Sequence, residues 1–575
     1  MNKHLTVIML VTILMFSFAY AQVGDTLLVH AWPEGTLNTV IHGDTLPTGE
    51  QAHKVYLLQQ NSELDTTYYI TEELRVEDLT LVGKNNPVTG FPPVVSVAIR
   101  GDNSSPGNIA VAINNGFVHF KNLYLTGTRS DGSQVTGQCV STSDSCKLIM
   151  ENCIFENFGS TGTPNVLNTW NAIGSDIYVT NCLFRNNQSN VPQNPGMNWA
   201  GPGVNAIDTM IVKNSTFFVF GGNVEGSGSS MGYIEFDHNT MFMHTKSSPF
   251  SMRQMHNAKI TNNIFFGVYA AGLDSTMINT PTSWNANFFS PPAILTMDSL
   301  YDDLEGDPFY LTEADRNIVA TNNAYFWPAK ILDNFDVMNA DLATYGIVGG
   351  KIYAPTWVAA RIGAEAILDL ENISIAEEDN FSDDPGFDAA LVSAASDSMA
   401  RFVRAVWANG GDGTGSRPFV NFKKTNYGLY ADVAADWKDK QNYPVPENLT
   451  YTNAAYMTAA TDGKPLGDLN WFPDEYNAIR DAGKNAMPTE LTLNQNYPNP
   501  FNPVTKIEYR ISKSDHVMLK VYNLLGQEVA SLVNKKQNAG QYEIEFDGSK
   551  LASGIYLYTL KAGESSMTKK MVLLK

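Results

Sequence analysis

A short strand-and-turn motif recurs along the first 330 residues of this 575-residue chain and constrains the fold more than any other feature. In each copy an Asn lies at the end of a short apolar strand and is followed, two or three residues later, by another apolar or aromatic side chain. Successive copies lie 30, 29, 33, 25, 23 and 60 residues apart, and periods of about 20–50 residues are typical of a solenoid. The copies read KNLYL at Asn122, ENCIF at Asn152, TNCLF at Asn181, KNSTF at Asn214, HNTMF at Asn239, TNNIF at Asn262 and TNNAY at Asn322.

No long helical pattern separates these strands, so the sequence predicts an all-β fold in which parallel strands stack coil upon coil. One coil cannot bury its apolar side chains alone, and its neighbours must complete the core. The Asn side chains can satisfy backbone groups of the turn, and we expect them to be structural. The repeat resembles the right-handed parallel β-helix proteins, the pectin-lyase-like fold. That resemblance implies a solenoid domain over residues 22–485, with its clearest coils at 55–330.

Four cysteines occur in the chain, too few for a disulfide scaffold in a protein of this length. Cys153 and Cys182 have matching contexts, Asn-Cys-Ile-Phe and Asn-Cys-Leu-Phe, and therefore occupy equivalent positions of the repeat. We predict stacked, buried and unreactive thiols.

Residues 331–485 are more irregular. Apolar spacing typical of helices appears at 355–370 and 396–411, and the short strands and turns from Leu449 are expected to close the solenoid. Acidic loops at 377–388 and 410–415 are interpreted as solvated loops, with calcium as the alternative, because carboxylates and carbonyl oxygens are its ligands. No other cofactor is evident.

Both ends of the chain carry export signals. Residues 1–21 combine a short basic start, an apolar run and Ala19-Tyr20-Ala21, the pattern of a signal peptide. No later stretch is long and apolar enough to span a membrane.

Residues 486–575 predict a small Ig-like antiparallel β-sandwich, because short alternating strands follow a rigid Pro-rich lead-in. Its segments NYPNPFNP at Asn496, VYNLLGQEV at Val521, SGIYLYTL at Ser553 and the terminal KKMVLLK resemble the type A C-terminal sorting domain of the type IX secretion system. The resemblance implies recognition by the outer-membrane secretion machinery and passage through the periplasm. The protein is then expected in the medium or on the cell surface.

The formal net charge of −21 argues against nucleic-acid partners, because phosphate binding needs a positive field. One segment departs from this acidic background. Residues 236–260 gather three of the nine histidines with Lys246, Arg253 and Lys259.

A lyase acting on uronate polysaccharides must neutralise a carboxylate and remove the neighbouring proton, and Lys or His with Arg can do both. The segment resembles alginate lyases and chondroitinase B, in which a Lys-Ser-Ser motif and an Arg carry this work. The resemblance makes Lys246 and Arg253 the candidate catalytic residues, with His256 as a further base. In that family the Lys and Arg lie about one coil apart, whereas here seven residues separate them.

Three functions therefore remain open: an exported β-helix protein that interacts with polysaccharide, a uronate-polysaccharide lyase, and a non-catalytic structural or adhesive surface protein. An enzyme should concentrate acid and base groups in one groove on stacked coils. A binding protein should show a row of aromatic side chains without them.

Overall fold

The fold comes from a computed structural model, which divides the chain into two compact units, residues 1–472 and 473–575. The predicted signal peptide and the predicted boundary near residue 486 lie outside the described residues. The described residues are 22–23, 26–29, 36–48, 51–59, 67–87, 90–98, 106–129, 138–158, 166–169, 173–187, 197–199, 206–221, 224, 230–245, 249–252, 255–270, 273–274, 293–297, 317–345, 351–360, 373–374, 380–408, 447–473, 492–493, 496, 499, 501–511, 515–523, 526–537, 540–563 and 565–574.

The first unit is built on a 15-stranded sheet, named here the long sheet. All its strands pair in parallel except the first two, which pair antiparallel. This stacking of parallel strands confirms the predicted solenoid. The strands are Gln22–Val23, Thr26–Val29, Val55–Gln59, Leu74–Lys84, Ala110–Lys121, Val140–Thr142, Lys147–Glu151, Leu167–Asn168, Ile173–Thr180, Asn198–Trp199, Ala206–Lys213, Ser230–Asp237, Met255–Thr261, Asn317–Thr321 and Ile373–Ser374.

The second sheet has nine parallel strands, and the last seven each follow a long-sheet strand after the short turn of the repeat. Its strands are Thr67–Ile70, Val94–Val97, Tyr124–Thr126, Ile154–Glu156, Leu183–Arg185, Thr216–Phe220, Thr240–His244, Ile264–Phe266 and Ala324–Phe326. A short parallel sheet joins Phe250–Met252, Ala293–Met297 and Thr356–Ala360, and an antiparallel pair joins Leu273–Asp274 to Ile352–Tyr353.

The turn between the two sheets explains the repeated Asn. Its first residue has a left-handed backbone, with φ between 47° and 61°, which Asn tolerates better than most residues. In the copy HNTMF the residue with the positive φ is His238, and Asn239 follows it. The spacing is then regular, since Lys213 pairs with Asp237 and Asp237 with Thr261, each 24 residues on (237 − 213 and 261 − 237). The residues with this backbone are Asn122, Asn152, Asn181, Asn214, His238, Asn262 and Asn322.

The next residue of each turn is buried, and in the later coils it is an Asn that forms a ladder of side-chain hydrogen bonds from coil to coil. The side-chain oxygen of Asn263 accepts from the backbone N–H of Asn239 at 2.8 Å, and that of Asn323 accepts from the N–H of Asn263 at 3.1 Å. Each amide also donates to a carbonyl of the preceding coil, as Asn263 does to Phe236 at 2.8 Å. Earlier coils use Cys153, Cys182 and Ser215 at the same position.

The cysteines are all buried and none forms a disulfide, as predicted. The Cys182 thiol contacts the carbonyls of Thr180 and Met150 at 3.3 and 3.5 Å. Stacked rings continue the interior, with Phe184 4.9 Å from Phe155 and 4.8 Å from Phe217. The core therefore repeats the same contacts from coil to coil.

The outer face of the second sheet is covered by later parts of the chain. Three α-helices are described: α1 (Thr36–Gly43), α2 (Ala329–Ala340) and α3 (Ala389–Ala408). Helices α2 and α3 pack on outward side chains such as Phe218, Phe242 and Phe266. Residues 447–473, named here the return segment, join the same apolar cluster through Leu449, Tyr451, Tyr456, Leu466 and Phe472.

The return segment runs back along the turn of the repeat. Its residues form hydrogen bonds with the turns of four coils. The pairs are Ala459 with Asn322, Thr461 with Asn262, Asp468 with Thr240, and Asn470 with Asn214. It contains the 3₁₀ helices Ala454–Thr458 and Leu469–Trp471, and a further one spans Leu342–Tyr345. The segment expected to close the solenoid therefore lies along its side and crosses several coils.

The helix prediction for 396–411 is confirmed by α3. That for 355–370 is wrong at its start, where Thr356–Ala360 is a strand with β-branched Thr356 and Val358. The remaining residues of that stretch lie outside the description.

The second unit contains two antiparallel sheets around one apolar core, which agrees with the predicted antiparallel sandwich. One sheet comprises Thr492–Leu493, Val504–Ile511 and Gly540–Asp547. The other comprises Glu528–Gln537, Asp515–Asn523, Gly554–Ala562 and Ser565–Leu573.

Candidate functional site

The predicted catalytic residues are only partly within the described structure. Lys246 and Arg253 lie outside the described residues. His256 lies in the strand Met255–Thr261 of the long sheet, and its side chain is outside the description. The catalytic assignment of these three residues remains a prediction.

The outer face of the long sheet, named here the open face, is the other broad surface of the solenoid. Side chains alternate along a strand, so Leu148 and Met150 point into the core while Lys147, Ile149 and Glu151 point outward. The outward positions lie one, three and five residues before the left-handed turn residue, and parallel register stacks them in three rows.

An apolar side chain lies on the open face in each of five consecutive coils. All five are half-buried. Ile149, Tyr178 and Ile211 pair in one row, and Phe117 and Tyr233 lie two residues nearer the start of their strands, so the five form a staggered stripe. Aromatic and branched aliphatic residues alternate along it, so an aromatic ring recurs on every second coil. In order they are Phe117, Ile149, Tyr178, Ile211 and Tyr233.

Charged side chains flank this stripe in pairs. Lys121 contacts Glu151 at 2.8 Å, while Lys213 and Lys259 both contact Glu235, at 3.0 and 3.4 Å. The ammonium of Lys147 lies 4.8 Å from the ring centroid of Tyr178, a cation–π distance. These contacts hold the long side chains close to the sheet.

Burial holds the pKa of His119 below its ordinary value, although the neighbouring Glu151 carboxylate, at 3.3 Å, acts in the opposite direction. Its ring lies 6.1 Å from that of Phe117. His119 is therefore neutral at neutral pH. Burial also raises the pKa of Tyr178 and Tyr233, so both phenols remain uncharged.

A register shift in the strand Ile173–Thr180 interrupts the sheet beside the stripe. Ser175 pairs with Ile207 and Asp176 with Thr209, so Asp208 lies opposite the irregularity. Burial, and then the charge of Asp176, raises the pKa of Asp208. The two carboxylates therefore lie close enough for the charge of Asp176 to act on Asp208.

Within the described part of the chain, no group of three or more His, Cys, Asp or Glu side chains is arranged to hold a metal ion. Residues 377–379 and 410–415 of the acidic loops lie outside that part, so the calcium hypothesis for them remains a prediction. No described helix is long and apolar enough to cross a bilayer.

The sequence carries a signal for the open face. When the coils between Phe117 and Thr261 are aligned on the turn residue, with His238 in place of Asn239, five of the twelve side chains three and five residues before it are apolar or aromatic. Tyr178 and Tyr233 then lie on one surface. This signal is spread over five coils, whereas the histidines of residues 236–260 form one contiguous segment.

In the second unit, the Pro-rich lead-in is built into the sandwich. The backbone N–H of Asn496 donates to the Tyr558 hydroxyl at 2.8 Å, and its buried amide donates to Thr505 at 3.0 Å. The Asn499 side chain accepts from the N–H of Val572 at 2.8 Å, and Phe501 adds backbone bonds to the same edge strand. The motif and the final strand are therefore assembled together.

Comparison with known proteins agrees with this unit. The family model described as "Secretion system C-terminal sorting domain" matches residues 495–574. No curated protein matches the chain. Residues 495–574 are thus a C-terminal sorting domain, which marks the protein for type IX secretion and attachment to the cell surface.

Proposed function

We propose that the solenoid is a pectin-lyase-like β-helix that binds polysaccharide and is delivered to the cell surface by the sorting domain. The observation that carries the proposal is the apolar stripe of the open face. Sugar rings present flat C–H faces, which pack on aromatic rings such as those of Tyr178 and Tyr233. Aromatic side chains also bring a large contact area at little cost in conformational freedom.

The arrangement favours binding over a purely structural role. The other outer face of the solenoid buries its aromatic rings beneath α2, α3 and the return segment. On the open face Tyr178 and Tyr233 remain half-exposed, and the surrounding Lys and Glu side chains are held in pairs. Half-exposed aromatic side chains on one face, rimmed by polar groups, are typical of an interaction surface.

A glycan array probed with the mature protein, residues 22–575, tests this proposal. We expect binding to at least one polysaccharide. The double variant Tyr178→Ala/Tyr233→Ala should weaken it about tenfold or more, because each lost ring removes about 1 kcal/mol of contact. Tyr522→Ala is a matched control, since Tyr522 is a half-buried tyrosine on a sheet of the sorting domain.

Absence of binding across the array, or equal binding by the double variant and the wild-type chain, contradicts the proposal. The lyase hypothesis is tested on the same protein by the ultraviolet absorbance of unsaturated uronates. A signal that disappears in Lys246→Ala and Arg253→Ala would replace binding with catalysis as the function.

A further inference from the structure

The charges on the open face are balanced. Between Phe117 and Thr261, the outward positions of the described strands carry four Lys side chains and four carboxylates. His119 adds no charge at neutral pH, and Asp208 adds a further carboxylate at the irregularity. The face therefore has no positive excess, on a chain whose formal net charge is −21. The charged residues counted are Lys121, Lys147, Lys213 and Lys259, with Glu151, Asp176, Glu235 and Asp237.

Each of these lysines already has an anionic or aromatic contact. Glu151 is 2.8 Å from Lys121, and Glu235 lies between Lys213 and Lys259 at 3.0 and 3.4 Å. Lys147 lies over the Tyr178 ring. A polyanion entering this face would have to compete with these contacts one by one, against a repulsive overall field.

The stripe is long enough for several sugar rings. Its five side chains lie on five neighbouring strands, and four steps of about 4.8 Å give a length of about 19 Å. Phe117, Tyr178 and Tyr233 recur at every second strand, and a two-residue offset along the strand puts successive rings about 12 Å apart. Ile149 and Ile211 pair directly with Tyr178, whereas Phe117 lies beside Lys147 and Tyr233 beside Thr209.

We propose that the open face binds an uncharged polysaccharide, extended along the stripe, with Phe117, Tyr178 and Tyr233 stacking on its rings. This inference rests on the proposed function and names its ligand class. Two observations support the inference: the charges of the face are balanced, and its lysines already contact carboxylates or a ring. Both disfavour the binding of uronate and sulfated polymers. The stripe supplies the contact that a neutral chain needs.

Affinity electrophoresis of the mature protein tests the ligand class. One set of gels contains neutral polymers, namely mixed-linkage β-glucan, glucomannan and arabinoxylan, and the other contains alginate or polygalacturonate. We expect retardation by at least one neutral polymer, with little change when salt is raised, because no ion pair forms with the ligand. Tyr178→Ala/Tyr233→Ala should reduce the retardation constant about tenfold, and Tyr178→Phe/Tyr233→Phe should keep it within about threefold.

Retardation by the polyuronates alone, weakened by salt, overturns the inference while leaving polysaccharide binding intact. Retardation by neither set overturns both. The Phe variants retain the rings and the packing around them, so they keep the test decisive if the Ala variant does not fold. Equal retardation of wild-type and correctly folded Ala variants by a neutral polymer also overturns the inference, since the stripe would not be the site.

Discussion

The two broad faces of the solenoid are built in the same way but differ in their exposure to solvent. Both consist of outward side chains from stacked parallel strands, and both carry aromatic rings. The outer face of the second sheet is sealed by α2, α3 and the return segment, and its polar groups are buried with it. The open face keeps its rings half-exposed and its charges in partly exposed pairs. The difference indicates that one face completes the fold and the other is available to a ligand.

Buried charge shows the contrast most clearly. On the covered face, Arg185 contacts Glu447 of the return segment at 2.6 Å and lies 3.8 Å from Glu156, and all three side chains are at most 1% exposed. Tyr124 donates to Glu156 within the same cluster. On the open face, Lys121 and Glu151 are 42% and 34% exposed. The same kind of contact therefore has a different energetic role on each face.

The largest effect is expected from Arg185→Ala. The substitution leaves the carboxylates of Glu156 and Glu447 buried without their cation, which costs about 3–5 kcal/mol. Chemical denaturation of the mature chain, followed by circular dichroism, measures the loss. The triple variant Arg185→Ala/Glu156→Gln/Glu447→Gln removes all three charges and should recover more than half of it. A loss below about 1 kcal/mol for Arg185→Ala would show that the covered face is not sealed.

The next largest effect concerns Asp468 of the return segment, whose contribution to stability depends on pH. Burial raises the pKa of Asp468 to about 6, although Thr216 and Asn470 donate hydrogen bonds to its carboxylate. His238 is the titratable side chain whose charge acts on Asp468. The folded pKa exceeds the unfolded one, so this contribution to stability is complete below about pH 4 and is lost as the pH rises through 6.

The measurement is the difference in unfolding free energy between wild-type and Asp468→Asn chains from pH 4 to 7. That difference should shift by on the order of 3 kcal/mol in favour of the variant as the pH rises. Asp237 provides the internal contrast. Burial alone would raise its pKa, but His238, Thr261 and Asn262 hold it at about 2, so its contribution persists until the pH falls below about 4. If the unfolding free energies of the wild-type and Asp468→Asn chains change in parallel from pH 4 to 7, the burial of Asp468 is contradicted.

The smallest effect is expected from Lys121→Ala on the open face. Its partner Glu151 is partly exposed, so removal of the lysine should cost less than about 1 kcal/mol. The same denaturation assay measures it. A loss as large as that of Arg185→Ala would erase the distinction between the two faces.

The sequence predicted the solenoid because the repeated turn is local. Each left-handed turn residue, and each inward residue after it, belongs to a contiguous motif. His238, in place of Asn, shifts the apparent position of one copy by one residue. The sandwich was predictable for the same reason, since Asn496, Asn499 and Phe501 belong to one short segment that joins the final strand.

The covering of the second sheet was not predictable in this way. Asp468 contacts Thr216 and Thr240 across 252 and 228 positions of sequence, and Asn470 reaches Asn214 across 256. Such contacts leave no periodic trace, because each depends on a single polar side chain meeting one particular coil. The open face was not predicted for a different reason: its side chains can be recognised as neighbours only when the coils are aligned in register.

The position of the return segment in the sequence also decides when, during synthesis, the solenoid can be completed. Residues 447–473 seal coils formed more than 200 residues earlier, and the sorting domain begins only after them. A chain that stops before residue 473 lacks both the segment that finishes the solenoid and the signal that sends it to the surface. Truncated products thus lack the sorting domain that marks the protein for attachment to the cell surface, although the predicted N-terminal signal peptide remains.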